Sequence, residues 1–216
     1  MVDPSKQRRR MVARQVAGRG VRDARVLAAV ETVPRELFVR AADRHRAYRD
    51  RPLPIGAGQT ISQPFIVAYM IEALELQGGE RVLEVGAGSG YAAAVLAEIA
   101  GEVFAVERIG ELAEMARRNL REAGCDRIDI KHANGAEGWP DAAPFDAILV
   151  SAGAARIPSA LRTQLKIGGR LVVPVGSSPD EQQLVRVRRV SESEFAREAL
   201  VEVRFVPLVE VAEADA

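Results

Sequence analysis

The sequence predicts an α/β fold: a mostly parallel sheet with helices packed on it, preceded by an N-terminal helical cap. Two observations carry this expectation. From residue 81 onward, short apolar segments alternate with stretches of helical period, and strand–helix–strand repeats imply parallel pairing through right-handed crossovers. Before residue 64 the apolar residues instead recur at helical spacing, with no strand rhythm. Length and composition agree, since 216 residues with 48% hydrophobic and 28% charged suit one globular domain with appendages.

The cap comes first. Three helical patterns open the chain, clearest in Met11, Val12 and Val16 and then in Val26, Leu27 and Val30. Residues 49–63 turn irregular, because Pro52, Pro54, Gly56 and Gly58 interrupt any regular element, and they read as a loop of fixed shape. Residues 64–76 are apolar nearly all round, through Phe65, Ile66, Val67, Met70, Ile71 and Leu74, which predicts a helix buried on most faces.

After Gly78 and Gly79 the sheet begins, with strands expected at 81–85, 102–107, 127–131, 145–151 and 170–175. Helices are expected from Tyr91, from Ile109 and over 158–166. The second shows its period in Ile109, Leu112, Ala113, Ala116, Leu120 and Ala123. Gly168 and Gly169 read as a stop before the fifth strand, and 182–190 with 200–206 as a terminal strand pair, seven strands in all.

Bulk chemistry excludes several functions. Thirty basic residues balance thirty acidic ones, leaving no overall attraction for nucleic acid or anionic lipid. The densest basic run, Arg8, Arg9 and Arg10, reads as a solvated helix face. No apolar run is long enough to span a bilayer and residues 1–6 lack a leader's apolar region, so a cytoplasmic protein is expected. Cys125 stands alone and the two histidines, His45 and His132, are far apart, so no metal site is expected.

The chemistry-bearing pattern is Val82-Leu83-Glu84-Val85-Gly86-Ala87-Gly88-Ser89-Gly90-Tyr91, a strand entering a glycine turn that opens a helix. Glycines there let the backbone approach a ligand and leave helix N-terminal N–H groups free. The same pattern can be no more than a tight turn. The next strand, however, ends at Glu107, about 20 residues on, where a carboxylate can grip ribose hydroxyls. A dinucleotide fingerprint needs glycine at position 91, which is Tyr91. Glycines at 86, 88 and 90 instead resemble the class I methyltransferase signature, favouring S-adenosylmethionine over NAD. Asn134-Gly135, after the third strand, falls where that fold places a residue beside the adenine.

The stretch Pro52-Leu53-Pro54-Ile55-Gly56-Ala57-Gly58-Gln59-Thr60-Ile61-Ser62-Gln63-Pro64 resembles the hallmark of the protein-L-isoaspartate O-methyltransferase family, and it is far more specific than the glycine turn. The resemblance runs over nearly the whole chain, from Arg10-Met11-Val12 and Arg19-Gly20-Val21-Arg22-Asp23 through Glu137-Gly138-Trp139-Pro140 and Gly168-Gly169-Arg170-Leu171 to Phe205-Val206-Pro207-Leu208. It implies a Rossmann-like class I methyltransferase fold, a seven-stranded mostly parallel sheet with helices on both faces. Residues 1–62 would form the helical cap and substrate loop, 63–210 the S-adenosylmethionine-binding core and 211–216 a frayed tail.

The implied reaction is methyl transfer to the α-carboxylate of L-isoaspartyl residues in damaged proteins and peptides. S-adenosylhomocysteine is the product, and the ester closes to a succinimide that partly reopens to aspartate. By the same resemblance Ser62 is the catalytic residue. Gln59, Thr60, Ile61, Gly86, Ala87, Gly88, Gly90, Glu107, Arg108, Asn134 and Gly135 would hold the cofactor, and Ser62, Gln63 and Val209 would border the substrate. No metal, nucleic acid or membrane is implied, and a monomer is expected.

One departure stands out, because Ala133-Asn134-Gly135 replaces the family's usual Gly-Asp-Gly. An amide oxygen accepts from the adenine amine without charge assistance, so weaker cofactor binding is expected. Spacing leaves Ser62 two roles, a carboxylate ligand or a plain helix cap. Glu84 is either a grip for the cofactor's amino-acid end or an edge carboxylate. Trp139 and Tyr91 read as packing residues, and His132 as an exposed strand end.

Other functions compete with this reading. They are a related enzyme acting on another peptide carboxylate and a cofactor-binding protein without repair activity. A DNA methyltransferase is disfavoured, since Ser151-Ala152-Gly153 stands where a Pro-Pro-aromatic motif would be needed.

Overall fold

A computed structural model describes residues 3–178 and 180–208. Its centre is a seven-stranded sheet in the order β5-β4-β3-β6-β7-β8-β9, where β3 is Arg81–Val85, β4 Glu102–Glu107, β5 Ile128–His132, β6 Phe145–Val150, β7 Leu165–Val175, β8 Gln182–Arg189 and β9 Phe195–Val203. Strands β3 to β7 pair in parallel and the last two are antiparallel. Chain order reverses between β3 and β6, and such a switch point leaves a crevice beyond the strand C-termini.

Alternation along the central strands sorts their side chains onto two apolar faces. Val82, Val103, Ala105, Ala147 and Leu149 point to one, with α3 (Pro64–Ala73), α4 (Tyr91–Ala97), α5 (Gly110–Glu122) and the cap. Leu83, Val85, Val106, Ile148 and Val150 point to the other, covered by Leu161 of α6 (Ser159–Thr163) and by Trp139, which meets Phe104 edge-on at 5.4 Å. In the cap, α1 (Pro4–Met11) runs through a π turn, Val12–Val16, into a 3-10 turn before α2 (Ala24–Thr32). Met11, Val16 and Val30 share one apolar cluster with the sheet, so the cap is an extension of the core. The sequence puts fourteen basic and six acidic residues in 1–62, so the cap carries +8 and the remainder −8.

Three boundaries differ from the sequence reading. Residues 49–63 contain a hairpin, β1 (Leu53–Gly56) against β2 (Gln59–Ile61), with Leu53 opposite Ile61. Its turn residues Ala57 and Gly58 both have positive φ, as a tight hairpin turn requires, and Pro54 is tolerated because the pair is a two-stranded ribbon. The Gly168-Gly169 pair is a bulge inside β7, where the register against β6 slips between Phe145↔Leu165 and Ala147↔Arg170, so β7 starts at Leu165 and α6 is shorter than expected. The last strand runs 195–203, not 200–206; its exposed, charged face hides the period that marks a strand.

Helix α3 is held at both ends by side chains distant in sequence. At its start the Asp50 carboxylate accepts from Phe65 N at 3.2 Å, although Gln63 is the capping position and makes no capping bond itself. At its end Arg170 Nε donates to the Leu74 carbonyl at 2.8 Å and Arg186 Nη1 to that of Ala73 at 3.3 Å. Asp50 also accepts from Gln63 Nε2 at 2.7 Å and pairs with Arg19 at 2.6 Å. Asp50→Ala is therefore expected to lower the unfolding free energy by about 2 kcal/mol, a lost cap plus a lost charged hydrogen bond. Urea titration reads this directly, and a change under about 0.5 kcal/mol would refute the capping role.

Candidate active site

The crevice at the switch point holds two contiguous clefts of about 630 and 430 Å³ that share Thr60, Gly86, Gly88 and Ser151. Their floor is the glycine turn after β3 and their roof is the β1–β2 hairpin. The two touch closely: a Cβ on Gly88, whose φ of +54° already favours glycine, would stand 3.2 Å from Ile55 Cδ1. Gly90 does other work, since a Cβ there would press on Leu120 and Ala116 of α5, and the residue lines neither cleft.

The larger cleft is bordered by Gln59, Thr60, Gly86, Gly88, Glu107, Arg108 and Gly135, seven of the residues expected to hold the cofactor. Glu107 at the end of β4 accepts from Gly88 N at 2.8 Å and Ile109 N at 2.9 Å, which sets its carboxylate rigidly and leaves acceptor capacity on both oxygens. Gly135 must be glycine, because a Cβ there would stand 2.6 Å from Val85 Cγ1. Asn134 does not line the cleft. Its amide oxygen caps the following 3-10 turn by accepting from Ala136 N at 3.1 Å, and its amide nitrogen donates to Glu137 at 2.9 Å. His132, exposed as expected, meets the Arg108 carbonyl through Nε2 at 2.8 Å.

The smaller cleft is bordered by Ile61, Ser62, Ala87 and Tyr91, with Glu84 at its base. Glu84 is 1% exposed; Ser151 Oγ donates to its Oε1 at 2.9 Å, and its Oε2 has no partner. Burial pushes this carboxyl up to about 8, the neighbouring Glu107 charge adds to the rise, and the Ser151 bond opposes it. An orphaned carboxylate oxygen facing a cleft is a site for a cationic donor. An ammonium group such as the α-amino end of S-adenosylmethionine fits it, while Glu107 and Gly135 fit the nucleoside end. Among the described residues no cluster of His, Cys, Asp or Glu could hold a metal ion.

Ser62 lies immediately before the capping position of α3, and among the described residues its hydroxyl makes no hydrogen bond. Asp50 serves the helix end in its place, which separates the two roles that spacing had left open. Gln63 lines neither cleft, its side chain being turned to Asp50. Val209 lies outside the described residues. Its neighbour Leu208 borders the larger cleft, pinned by donation from its N–H to the Gly153 carbonyl at 2.7 Å.

Sequence reasoning missed Ser151, Ile55 and Asp50. The first two sit at a strand end and in the unrecognised hairpin. Asp50 acts across 15 residues, which no local pattern signals.

The family model described as protein-L-isoaspartate(D-aspartate) O-methyltransferase matches residues 6–213. A protein-L-isoaspartate O-methyltransferase 1 of Rhodopseudomonas palustris strain HaA2 is 59% identical over 203 residues, 94% of this chain and 83% of the relative. A protein-L-isoaspartate O-methyltransferase 2 of Marinobacter nauticus is 56% identical over 207 residues, 96% and 94% of the two chains.

Among solved structures, a protein-L-isoaspartate O-methyltransferase superposes with a TM-score of 0.85 at 29% identity, over 94% of this chain and 66% of that one. A Plasmodium falciparum protein assigned to the same activity, in complex with S-adenosyl-L-homocysteine, gives 0.81 at 25% identity, over 94% and 98%.

Proposed function

The chain belongs to the protein-L-isoaspartate(D-aspartate) O-methyltransferase family, and from that membership we propose that it methylates the α-carboxylate of L-isoaspartyl residues in damaged proteins and peptides. Bound in the double cleft, S-adenosylmethionine supplies an electrophilic methyl group and leaves as S-adenosylhomocysteine. The observation that carries the reading is the unbonded Ser62 hydroxyl at the rim of a cleft whose base is the orphaned Glu84 oxygen.

The chain's own residues have little chemistry to perform. A peptide α-carboxylate with a pKa of about 3.5 is ionised at neutral pH, so no general base is required. The work is positioning and removal of water, worth on the order of 7 to 11 kcal/mol in favourable systems. Ser62 donates its hydroxyl to one carboxylate oxygen and orients the other. Gln59, Thr60 and Ile61 separate the two ligands, while Gly86, Ala87, Gly88, Glu107, Arg108 and Gly135 border the cofactor and Gly90 sets the helix beneath it. Asn134 contributes through its turn.

We place the enzyme in the cytoplasm as a monomer; the balance of thirty basic and thirty acidic residues supports the absence of a nucleic-acid partner. No helix among the described residues is long and apolar enough to cross a membrane.

The test uses labelled S-adenosylmethionine and two short peptides identical except for isoaspartyl or aspartyl at one position. Transfer to the isoaspartyl peptide alone is expected. Folded protein that binds S-adenosylhomocysteine but methylates neither peptide would redirect the search to another carboxylate.

A further inference from the structure

We propose that Arg35 is a positioning residue of the reaction, fixing the main chain at Ser62 against the first turn of the helix that follows the glycine turn. It rests on the reading of Ser62 as the group that holds the substrate carboxylate.

Arg35 opens a 3-10 turn of the cap, Arg35–Phe38, and is wholly buried. No carboxylate among the described residues pairs with it. Its Nε donates to the Ala47 carbonyl at 2.9 Å and its Nη2 to the Ser62 carbonyl at 2.8 Å, while Nη1 has no acceptor. The guanidinium carbon lies 4.8 Å from the centre of the Tyr91 ring. The buried Tyr91 hydroxyl makes no hydrogen bond of good geometry but feels the Arg35 charge, and Tyr91 is the first residue of α4 and borders the smaller cleft. Burial pulls Arg35 down to about 10, which still leaves it charged at neutral pH.

A buried cation with no carboxylate at ion-pair distance is costly, the Asp50 charge supporting Arg35 only from further off, and two carbonyls alone do not require one. What a guanidinium adds is a planar fork that reaches two carbonyls while its central carbon stays over an aromatic ring, a combination an ammonium cannot reproduce. The bond to the Ser62 carbonyl fixes the peptide plane between Ser62 and Gln63, and so the direction in which the serine side chain leaves the backbone. The ring belongs to the first residue of α4, which borders the same cleft as Ser62. Arg35 thus ties the main chain at Ser62 to the start of α4, and a small change in that spacing misplaces the hydroxyl.

The experiment compares Arg35→Lys, Arg35→Met and Arg35→Ala with the native enzyme. Turnover is expressed per S-adenosylhomocysteine-binding site, counted by calorimetry, so that unfolded protein drops out. The expected result is a loss of tenfold or more in kcat for the isoaspartyl peptide in Lys and Met, cofactor-product affinity held within threefold, and partial recovery of the Ala variant with ethylguanidinium but not ethylammonium. A smaller loss of kcat, an equal weakening of S-adenosylhomocysteine binding or absence of rescue overturns the proposal. Variants that bind no cofactor product assign Arg35 to folding alone and overturn it too. Native enzyme inactive on the isoaspartyl peptide removes the reading of Ser62 itself, whereas active native enzyme with unimpaired variants removes only the role of Arg35.

Discussion

Ser62→Ala is expected to reduce turnover of an isoaspartyl peptide about 100-fold, the scale of losing one preorganised donor to a reacting oxyanion, while leaving the unfolding midpoint within a degree or so. The two halves of this expectation come from different observations. Stability is spared because Asp50, and not Ser62, satisfies the Phe65 N–H at the start of α3. Activity is lost because the serine hydroxyl has no bond within the fold and borders the smaller cleft. The loss should fall mainly on kcat, since an interaction that aims the carboxylate matters most in the transition state. Thermal unfolding and steady-state kinetics on the same preparation decide it. A variant that loses stability while keeping its turnover would make Ser62 a cap after all.

Glu84→Gln should move stability and cofactor affinity in opposite directions. In the folded chain burial raises the Glu84 carboxyl to about 8, against an ordinary value of 4.5. A raised pKa means that its contribution to stability is intact below pH 4.5 and drains away as pH climbs towards 8, because the unfolded chain ionises freely while the folded one resists. At pH 7 the loss is on the order of 3 kcal/mol, and an amide of the same shape escapes it.

The ligand-free Gln variant should therefore match the native protein near pH 4.5 and exceed it at pH 7. Affinity for S-adenosylhomocysteine should fall by 100-fold or more, as when one partner of a buried charged pair is removed. Native affinity should also rise about tenfold per pH unit up to about pH 8, above which Glu84 is already ionised without the ligand. The Gln variant should lack that dependence. Calorimetry across pH reads both, and a Gln variant that binds as tightly as the native protein would show that Glu84 does not hold the ammonium.

The sheet and its glycine turn were legible because they are written in local patterns: short continuous apolar runs in β3, β4 and β6, and the 3.6 period of α5 with Leu112, Ala116 and Leu120 buried. The hairpin was not, since Pro54 and the paired glycines look like breakers, and only their placement in a two-stranded ribbon makes them compatible with strands. Gly168 misled for a related reason: a bulge and a strand end carry the same signal. In the site, Glu107 and the glycines could be found from spacing, whereas Asp50 and Arg35 act across distances of 15 and 27 residues and leave no periodic trace. Asn134 shows a subtler limit. Its neighbour Gly135 borders the cleft, but the Asn134 side chain is turned to the 3-10 turn it caps, which only the backbone reveals.

The charge carried by the cap bears on the encounter with substrate. Residues 1–62 carry a formal +8 and the rest of the chain −8, so a zero net charge conceals a marked excess of cations in the part of the sequence that ends in the β1–β2 hairpin. Deamidation turns a neutral asparagine into a carboxylate, so a protein damaged in this way has always become more anionic. Attraction between such a surface and the basic residues of 1–62 is expected to reach about 8 Å at physiological ionic strength. Capture of a deamidated polypeptide should then slow as salt is added while turnover at saturating peptide stays unchanged, which stopped-flow and steady-state kinetics across ionic strength would read.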